Sequence, residues 1–189
     1  MSKYFLLYKP YGYLSQFTRE AAQHKTLGDL FSFPKDVYPV GRLDQDSEGL
    51  LILTDDKSLN QKLLDPKFQH KRSYWVQVEG IPGPEALAAL KKGVVIRVEN
   101  RDYATLPAEV KLLPTPPPLP ERDPPIRFRK NIPTSWIELT LKEGKNRQVR
   151  KMCAKVGFPV LRLVRCRIGD LEIGGMKVGE VKVFEFLRV

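Results

Sequence analysis

GRLDQDSEGLLILTDD, from Gly41 to Asp56, joins a short loop dense in charge and glycine to an apolar run with the character of a strand. A turn at Gly41 would leave Arg42, Leu43 and Asp44 in extended chain. Gly49 is expected to turn the chain back before Leu50, Leu51, Ile52 and Leu53 continue as a buried strand. Three acidic groups, Asp44, Asp46 and Glu48, therefore crowd a few residues beside one arginine. Loops mounted on a rigid sheet are favoured places for chemistry. DQDSEG also has the composition of an ordinary solvated turn, so this stretch alone does not decide function.

Composition narrows the classes. With 189 residues, 42% of them hydrophobic, the chain can bury a core as one domain or as two closely packed subdomains. A net charge of +10 and a pI near 9.6 attract polyanions, whether RNA, DNA or an acidic membrane. No apolar run approaches the roughly 18 residues of a membrane span, and MSKYFLLYKP lacks the pattern of a signal peptide, so a cytoplasmic location without membrane attachment is expected. Cys153, Cys166, His24 and His70 have no metal-like spacing; no metal site is expected, and the cysteines read as reduced thiols, Cys153 in a helix core.

Working outward, Lys3 to Lys9 reads as a strand ending in a turn at Pro10, Tyr11 and Gly12. A short helix is expected from Thr26 to Phe31, and a second over Leu59 to Leu64, capped by DDKS and stopped by Pro66. Tyr74, Val76 and Val78 alternate as a strand with one buried face. Pro84 opens a helix that Gly93 closes, and VVIRV follows as a strand. A helix between strands with no glycine-rich phosphate loop predicts α+β architecture rather than a nucleotide-binding doubly wound sheet.

The segment from Pro107 to Pro133 holds nine of the sixteen prolines and reads as an extended surface excursion. Its tail interleaves Arg122, Arg127, Arg129 and Lys130 with Phe128 and Trp136, groups that can contact phosphates and stack on unpaired bases. After a strand from Trp136 to Lys142, Val149, Met152, Cys153 and Val156 form a buried helical stripe ended by Gly157. Nine basic and two acidic residues lie between Lys142 and Asp170, which concentrates positive charge there. VLRLVR reads as a further strand, and Leu171 to Phe186 as two short strands joined through a glycine turn.

Four stretches together resemble a known family: KPYG (Lys9 to Gly12), GRLDQDSEGLLILTDD, KRSYWVQVEG (Lys71 to Gly80) and EGKNRQVRKMCAKVGFPVLRLVR (Glu143 to Arg165). They match, in order, the motifs of the RsuA-type pseudouridine synthases, which isomerise a chosen uridine in ribosomal RNA. The PPIR and IPTSW segments most resemble a member acting on the large subunit, hence on 23S rRNA. The resemblance implies a pseudouridine synthase fold, with a mixed, mainly antiparallel sheet, flanking helices and two subdomains around a central cleft. It implies one catalytic domain over 1–189, a monomer, and rRNA as partner without cofactor or metal. Many members carry a small RNA-binding domain ahead of KPxG. Here that motif begins at Lys9, so RNA selection is expected to fall on the catalytic domain and on the insert at about 107–133.

The same resemblance assigns residues. Asp44 becomes the catalytic aspartate, Tyr74 the tyrosine stacked on the target base, Arg150 the basic partner of Asp44, and Leu163 the apolar wall under the base. The KPYG turn is expected against the site, with Lys9 among the residues that bind the substrate RNA. Arg42 would prop open the vacated stack or grip a phosphate, and Arg147, Lys151 and Arg162 would attract the RNA backbone. Asp46 and Glu48 are expected to cap or to pair with nearby cations. Whether Asp44 attacks ribose C1′, attacks uracil C6 or assists glycal formation is left open by the sequence. Two other readings share these residues: a nucleoside glycosylase using Asp44 with Asp46 or Glu48, and a non-catalytic rRNA-binding or ribosome-assembly module.

Overall fold

A computed structural model describes residues 2–127 and 129–187, so the expected base-stacking Phe128 lies outside the described residues. In chain order the strands are β1 (Tyr4–Lys9), β2 (Tyr38–Pro39), β3 (Glu48–Thr54), β4 (Arg72–Glu79), β5 (Val95–Val98), β6 (Arg101–Ala104), β7 (Glu109–Leu113), β8 (Thr134–Leu141), β9 (Val160–Ile168), β10 (Leu171–Glu172) and β11 (Val181–Phe184). Helices α1 (Lys57–Leu64), α2 (Pro84–Lys92) and α3 (Gln148–Lys155) complete an α+β chain. It divides into two compact units, Met1–His70 with Val164–Val189, and Lys71–Leu163. No described helix is long and apolar enough to cross a membrane.

In the first unit β1 lies antiparallel between β11 and β3. The far edge of β3 is shared: its start runs parallel to β9, Glu48 opposite Val164 and Gly49 opposite Arg165, while its end pairs antiparallel with β2. This one parallel contact makes the sheet mixed. Strand β3 is buried along its whole length, as its continuous apolar run requires when both faces are covered. One of those faces carries Leu51 and Leu53, which join Phe5, Leu7, Leu27 and Val37 in a core. Phe33 packs edge-on against Phe5 and Phe17, with ring centroids 5.3 and 5.7 Å apart.

Two expectations shift here. Gly49 does not turn the chain; it sits within β3 at φ +109°, and a Cβ on it would lie 2.3 Å from the Arg165 carbonyl oxygen. Glycine is needed for close approach of two backbones. The helix expected from Thr26 shrinks to a 3₁₀ turn, Leu27–Asp29, whose start is closed by the Asp29 carboxylate accepting the Thr26 N–H at 2.8 Å. The two short C-terminal strands form as expected, β10 pairing with β9 and β11 with β1. Helix α1 forms where expected, with the Asp56 carboxylate accepting the N–H groups of Ser58 and Leu59.

In the second unit β8 lies antiparallel between β4 and β7. Tyr74, Val76 and Val78 of β4 share a core with Ile137, Leu139 and Leu141 of β8, Leu90 of α2, and Val149, Met152 and Cys153 of α3. The expected stripe on α3 is thus the buried one. Burial raises the Cys153 thiol to about 12, so it stays protonated and inert. Strand β7 lies inside the proline-rich segment; proline tolerates only edge strands, and β7 is an edge, flanked by Pro107 and Pro114. The β5–β6 hairpin forms a separate sheet, its turn at Glu99 and Asn100 in left-handed backbone, and β6 had no counterpart in the sequence reading.

Gly49→Ala should destabilise the protein by at least ~2 kcal/mol, since both the positive φ and the contact with backbone oppose a methyl group. Denaturant unfolding of the two proteins checks this; equal midpoints would contradict the close approach.

Candidate active site

The loop leading into β3 is pinned on both sides of Asp44. On the N-terminal side, the buried Ser15 hydroxyl donates to the Leu43 carbonyl at 2.8 Å and accepts the Leu43 N–H at 3.0 Å. On the C-terminal side, the Gly12 N–H donates to the Gln45 carbonyl at 2.8 Å, and Gln45 Nε2 returns a bond to the Gly12 carbonyl at 3.2 Å. Gly12 holds φ +86°, a conformation glycine adopts without strain. The Asp44 carbonyl accepts the Ser47 N–H at 3.0 Å, closing a turn over Gln45 and Asp46. Asp44 itself is half-buried, between buried Leu43 and exposed Gln45. The expectation that the KPYG turn lies against the Asp44 loop is therefore met by direct hydrogen bonds.

Lys9 ends β1 with no exposed surface. Its ammonium donates to the carbonyls of Tyr13 at 2.7 Å and Pro10 at 3.0 Å, which ties the KPYG turn from inside. Burial lowers Lys9 from 10.5 to about 7; Glu48, Asp46 and Asp44 pull it upward by charge, and nearby Arg165 pushes it down. An ammonium sealed inside the unit does not reach an RNA phosphate, so the direct RNA contact expected of Lys9 gives way to a structural and electrostatic role. Glu48 is buried, as is Arg165, whose Nε donates to the Leu50 carbonyl at 2.8 Å. Sequence reasoning gave Ser15 and Arg165 no role. Arg42 is exposed, as a backbone contact requires.

The other expected residues belong to the second unit. Tyr74 is 9% exposed on β4 and Leu163, 5% exposed, joins the same core. Arg150 is half-buried on α3. Arg147, at the N-cap of that helix, is exposed in left-handed backbone, φ 52° and ψ 33°. Lys151 donates to Asn146 Oδ1 at 3.3 Å. Arg162 departs from expectation: it is buried and donates to the Pro120 carbonyl at 2.8 Å, so it fastens the proline-rich segment instead of facing solvent. Arg122 adds a bond from that segment to the Leu161 carbonyl at 3.4 Å.

The basic loop ahead of α3 has its own brace. Glu143 accepts hydrogen bonds from the Tyr103 hydroxyl, from the Leu106 N–H at 2.8 Å and from Gln148 Nε2 at 2.6 Å. The bond to Glu143 pushes the Tyr103 hydroxyl up to about 12. Gln148 in turn accepts the Lys145 N–H at 2.9 Å, and the Lys145 ammonium lies 4.8 Å over the Tyr103 ring. Lys145, Asn146 and Arg147 are thereby held outward, exposed on a fixed turn. Among the described residues, no group of three or more His, Cys, Asp or Glu side chains could hold a metal ion.

Comparison with known proteins gives a single consistent result. A family model described as RNA pseudouridylate synthase matches residues 3–155. The chain is 52% identical over 172 residues to a Xanthomonas axonopodis pv. citri protein named ribosomal large subunit pseudouridine synthase E, covering 90% of this chain and 88% of that one. A Vibrio parahaemolyticus protein of the same name is 49% identical over 180 residues, covering 95% and 73%. Among solved structures, a crystal structure of pseudouridylate synthase matches with a TM-score of 0.78 at 26% identity, over 97% of this chain and 70% of that one.

The depressed Lys9 has a consequence for stability. Between about pH 7 and 10.5 the unfolded chain keeps a proton at this site that the folded protein has released, so stability rises with pH across that window. The slope from this residue approaches ~1.4 kcal/mol per pH unit. The difference in unfolding free energy between wild type and Lys9→Met should therefore grow in favour of wild type from pH 7.5 to 9.5. A flat difference would show that Lys9 is not depressed.

Proposed function

The chain belongs to the RNA pseudouridylate synthase family, and on that footing we propose that it converts a uridine of large-subunit ribosomal RNA to pseudouridine. The observation that carries the proposal is identity of about half over nine-tenths of the chain or more with relatives named for that activity. The reaction breaks the bond between uracil N1 and ribose C1′, rotates the uracil, and joins C5 to C1′. The C5 proton is lost and N1 gains one, so the product is an isomer and no electrons are exchanged with a second reactant.

Such chemistry needs an ionised carboxylate at the sugar or base, as nucleophile or as stabiliser of cationic sugar. Asp44 fills this role. Its flanking residues are held by hydrogen bonds on both sides, which is what a prepositioned reactive group requires. Arg150 is the basic partner of this carboxylate, and Tyr74, presented by a rigid strand, stacks on the uracil and takes part in proton transfer. Leu163 forms the apolar floor. Extruding the target nucleotide costs a few kcal/mol of stacking, and Arg42 occupies or steadies the vacated space. Exposed Arg147, with Lys151, attracts the phosphate backbone, and the basic part of the 107–133 segment takes part in choosing the RNA. The two units act as one catalytic domain, in the cytoplasm, as a monomer and without cofactor.

Asp44→Asn should lower pseudouridine formation by at least ~10³-fold while RNA affinity stays within about twofold. Comparing pseudouridine maps of rRNA from cells with the wild-type gene, the variant and no gene identifies the site; identical maps would refute the synthase reading, and free uracil as product would identify a glycosylase. Arg147→Asn suits the left-handed backbone and should reduce the salt slope of RNA binding by about one. An unchanged slope would remove Arg147 from the RNA contact.

A further inference from the structure

We infer that Ser15 is a positioning residue for Asp44: its hydroxyl fixes the peptide on which the carboxylate is mounted without touching the reacting atoms. The inference rests on the reading of Asp44 as the catalytic aspartate, and goes beyond it by naming what holds it. Ser15 is 6% exposed and makes both hydrogen bonds to one residue, donating to the Leu43 carbonyl at 2.8 Å and accepting the Leu43 N–H at 3.0 Å. This is the pattern of a β-ladder pair supplied by a side chain. Leu43 is buried and directly precedes Asp44, so its peptide plane sets where the Asp44 Cα lies and where its side chain starts.

The hydroxyl works from a firm base. Leu14 N–H donates to the Lys25 carbonyl at 2.9 Å and Leu27 N–H to the Gln16 carbonyl at 3.0 Å, so the residues on either side of Ser15 are bound to the 25–27 segment. Lys9 gathers the Pro10 and Tyr13 carbonyls, just upstream of that base. With Gly12 paired to Gln45, the stretch from Gly12 to Ser15 grips the Asp44 loop at two points, one before and one after the carboxylate. Taking away the Ser15 hydroxyl would leave the Leu43 N–H and carbonyl unsatisfied in a buried place, which favours a shift of the loop toward other partners. A displacement near 1 Å at a reacting group costs about 10²-fold in rate.

The test is single-turnover pseudouridine formation, together with RNA binding, by Ser15→Ala and Ser15→Thr, well below their unfolding temperatures. Ser15→Ala should lower the chemical rate about 10- to 100-fold, with KM and RNA affinity within about twofold, and Ser15→Thr, which keeps a hydroxyl, should recover most of the rate. A Ser15→Ala rate within about twofold of wild type overturns the inference, as does a loss that appears equally in RNA affinity. Should Ser15→Ala fail to fold, Gln45→Ala carries the test from the exposed side of the loop: a several-fold fall in rate at unchanged KM supports the grip, and an unchanged rate overturns it. Asp44→Asn run in parallel separates the two levels. If that variant stays active, the catalytic assignment fails and the inference falls with it; if it is inactive while Ser15→Ala is not impaired, only the positioning role fails.

Discussion

A lysine ammonium with no access to water is the constraint from which the candidate site follows. Burying Lys9 as a cation is costly, and the first unit offsets that cost with two backbone carbonyls and the charges of Glu48, Asp46 and Asp44. The carbonyls belong to the KPYG turn and its neighbour Tyr13; the carboxylates belong to the loop before β3. One side chain therefore links two segments more than thirty residues apart, and neither can move far without exposing or orphaning the charge. The compensation is incomplete, which is why Lys9 titrates near neutrality instead of near 10.5.

The second constraint is steric. Glu48 and Gly49 are the only residues of β3 registered with β9, and at Gly49 the backbones approach too closely for any Cβ. The approach brings Arg165 beside the start of β3, where its guanidinium bonds to the Leu50 carbonyl and its charge repels that of Lys9. A glycine that reads as a turn is therefore the point where two strands seat a buried cation against the loop.

Much of this was legible in the amino-acid order. The run Leu50 to Leu53 could only be a strand covered on both faces, the alternation at Tyr74, Val76 and Val78 gave its buried face, and the spacing of Val149, Met152 and Cys153 gave that of α3, because each signal is periodic and local. Gly49 was misread because a turn glycine and a close-approach glycine look alike until the neighbouring strand is known. Lys9 and Arg162 read as surface cations, since no periodic signal shows that the Pro10 and Tyr13 carbonyls will turn back to enclose one or that the distant Pro120 carbonyl will hold the other. Ser15 was invisible for the same reason: its partner lies 28 residues away, and a serine after a turn is unremarkable by composition.

These long-range polar bonds share a logic. The Asp44 loop and the basic turn before α3 are both short, irregular and rich in charge, the kind of segment that would wander if left to itself. Each is held by buried or half-buried side chains that bond backbone: in the first unit Ser15 reaches distant Leu43 while Lys9 closes its own turn, and in the second Glu143 reaches distant Leu106 while Gln148 holds nearby Lys145. In the second unit the Glu143 carboxylate and the Gln148 amide brace the backbone before α3, where Lys145, Asn146 and Arg147 are exposed. Phosphate attraction is long-ranged and tolerates small errors in position, whereas bond exchange at a sugar carbon does not. That difference in tolerance fits the two reciprocal pairs of hydrogen bonds on the residues flanking Asp44, the carboxylate to which we assign the chemistry.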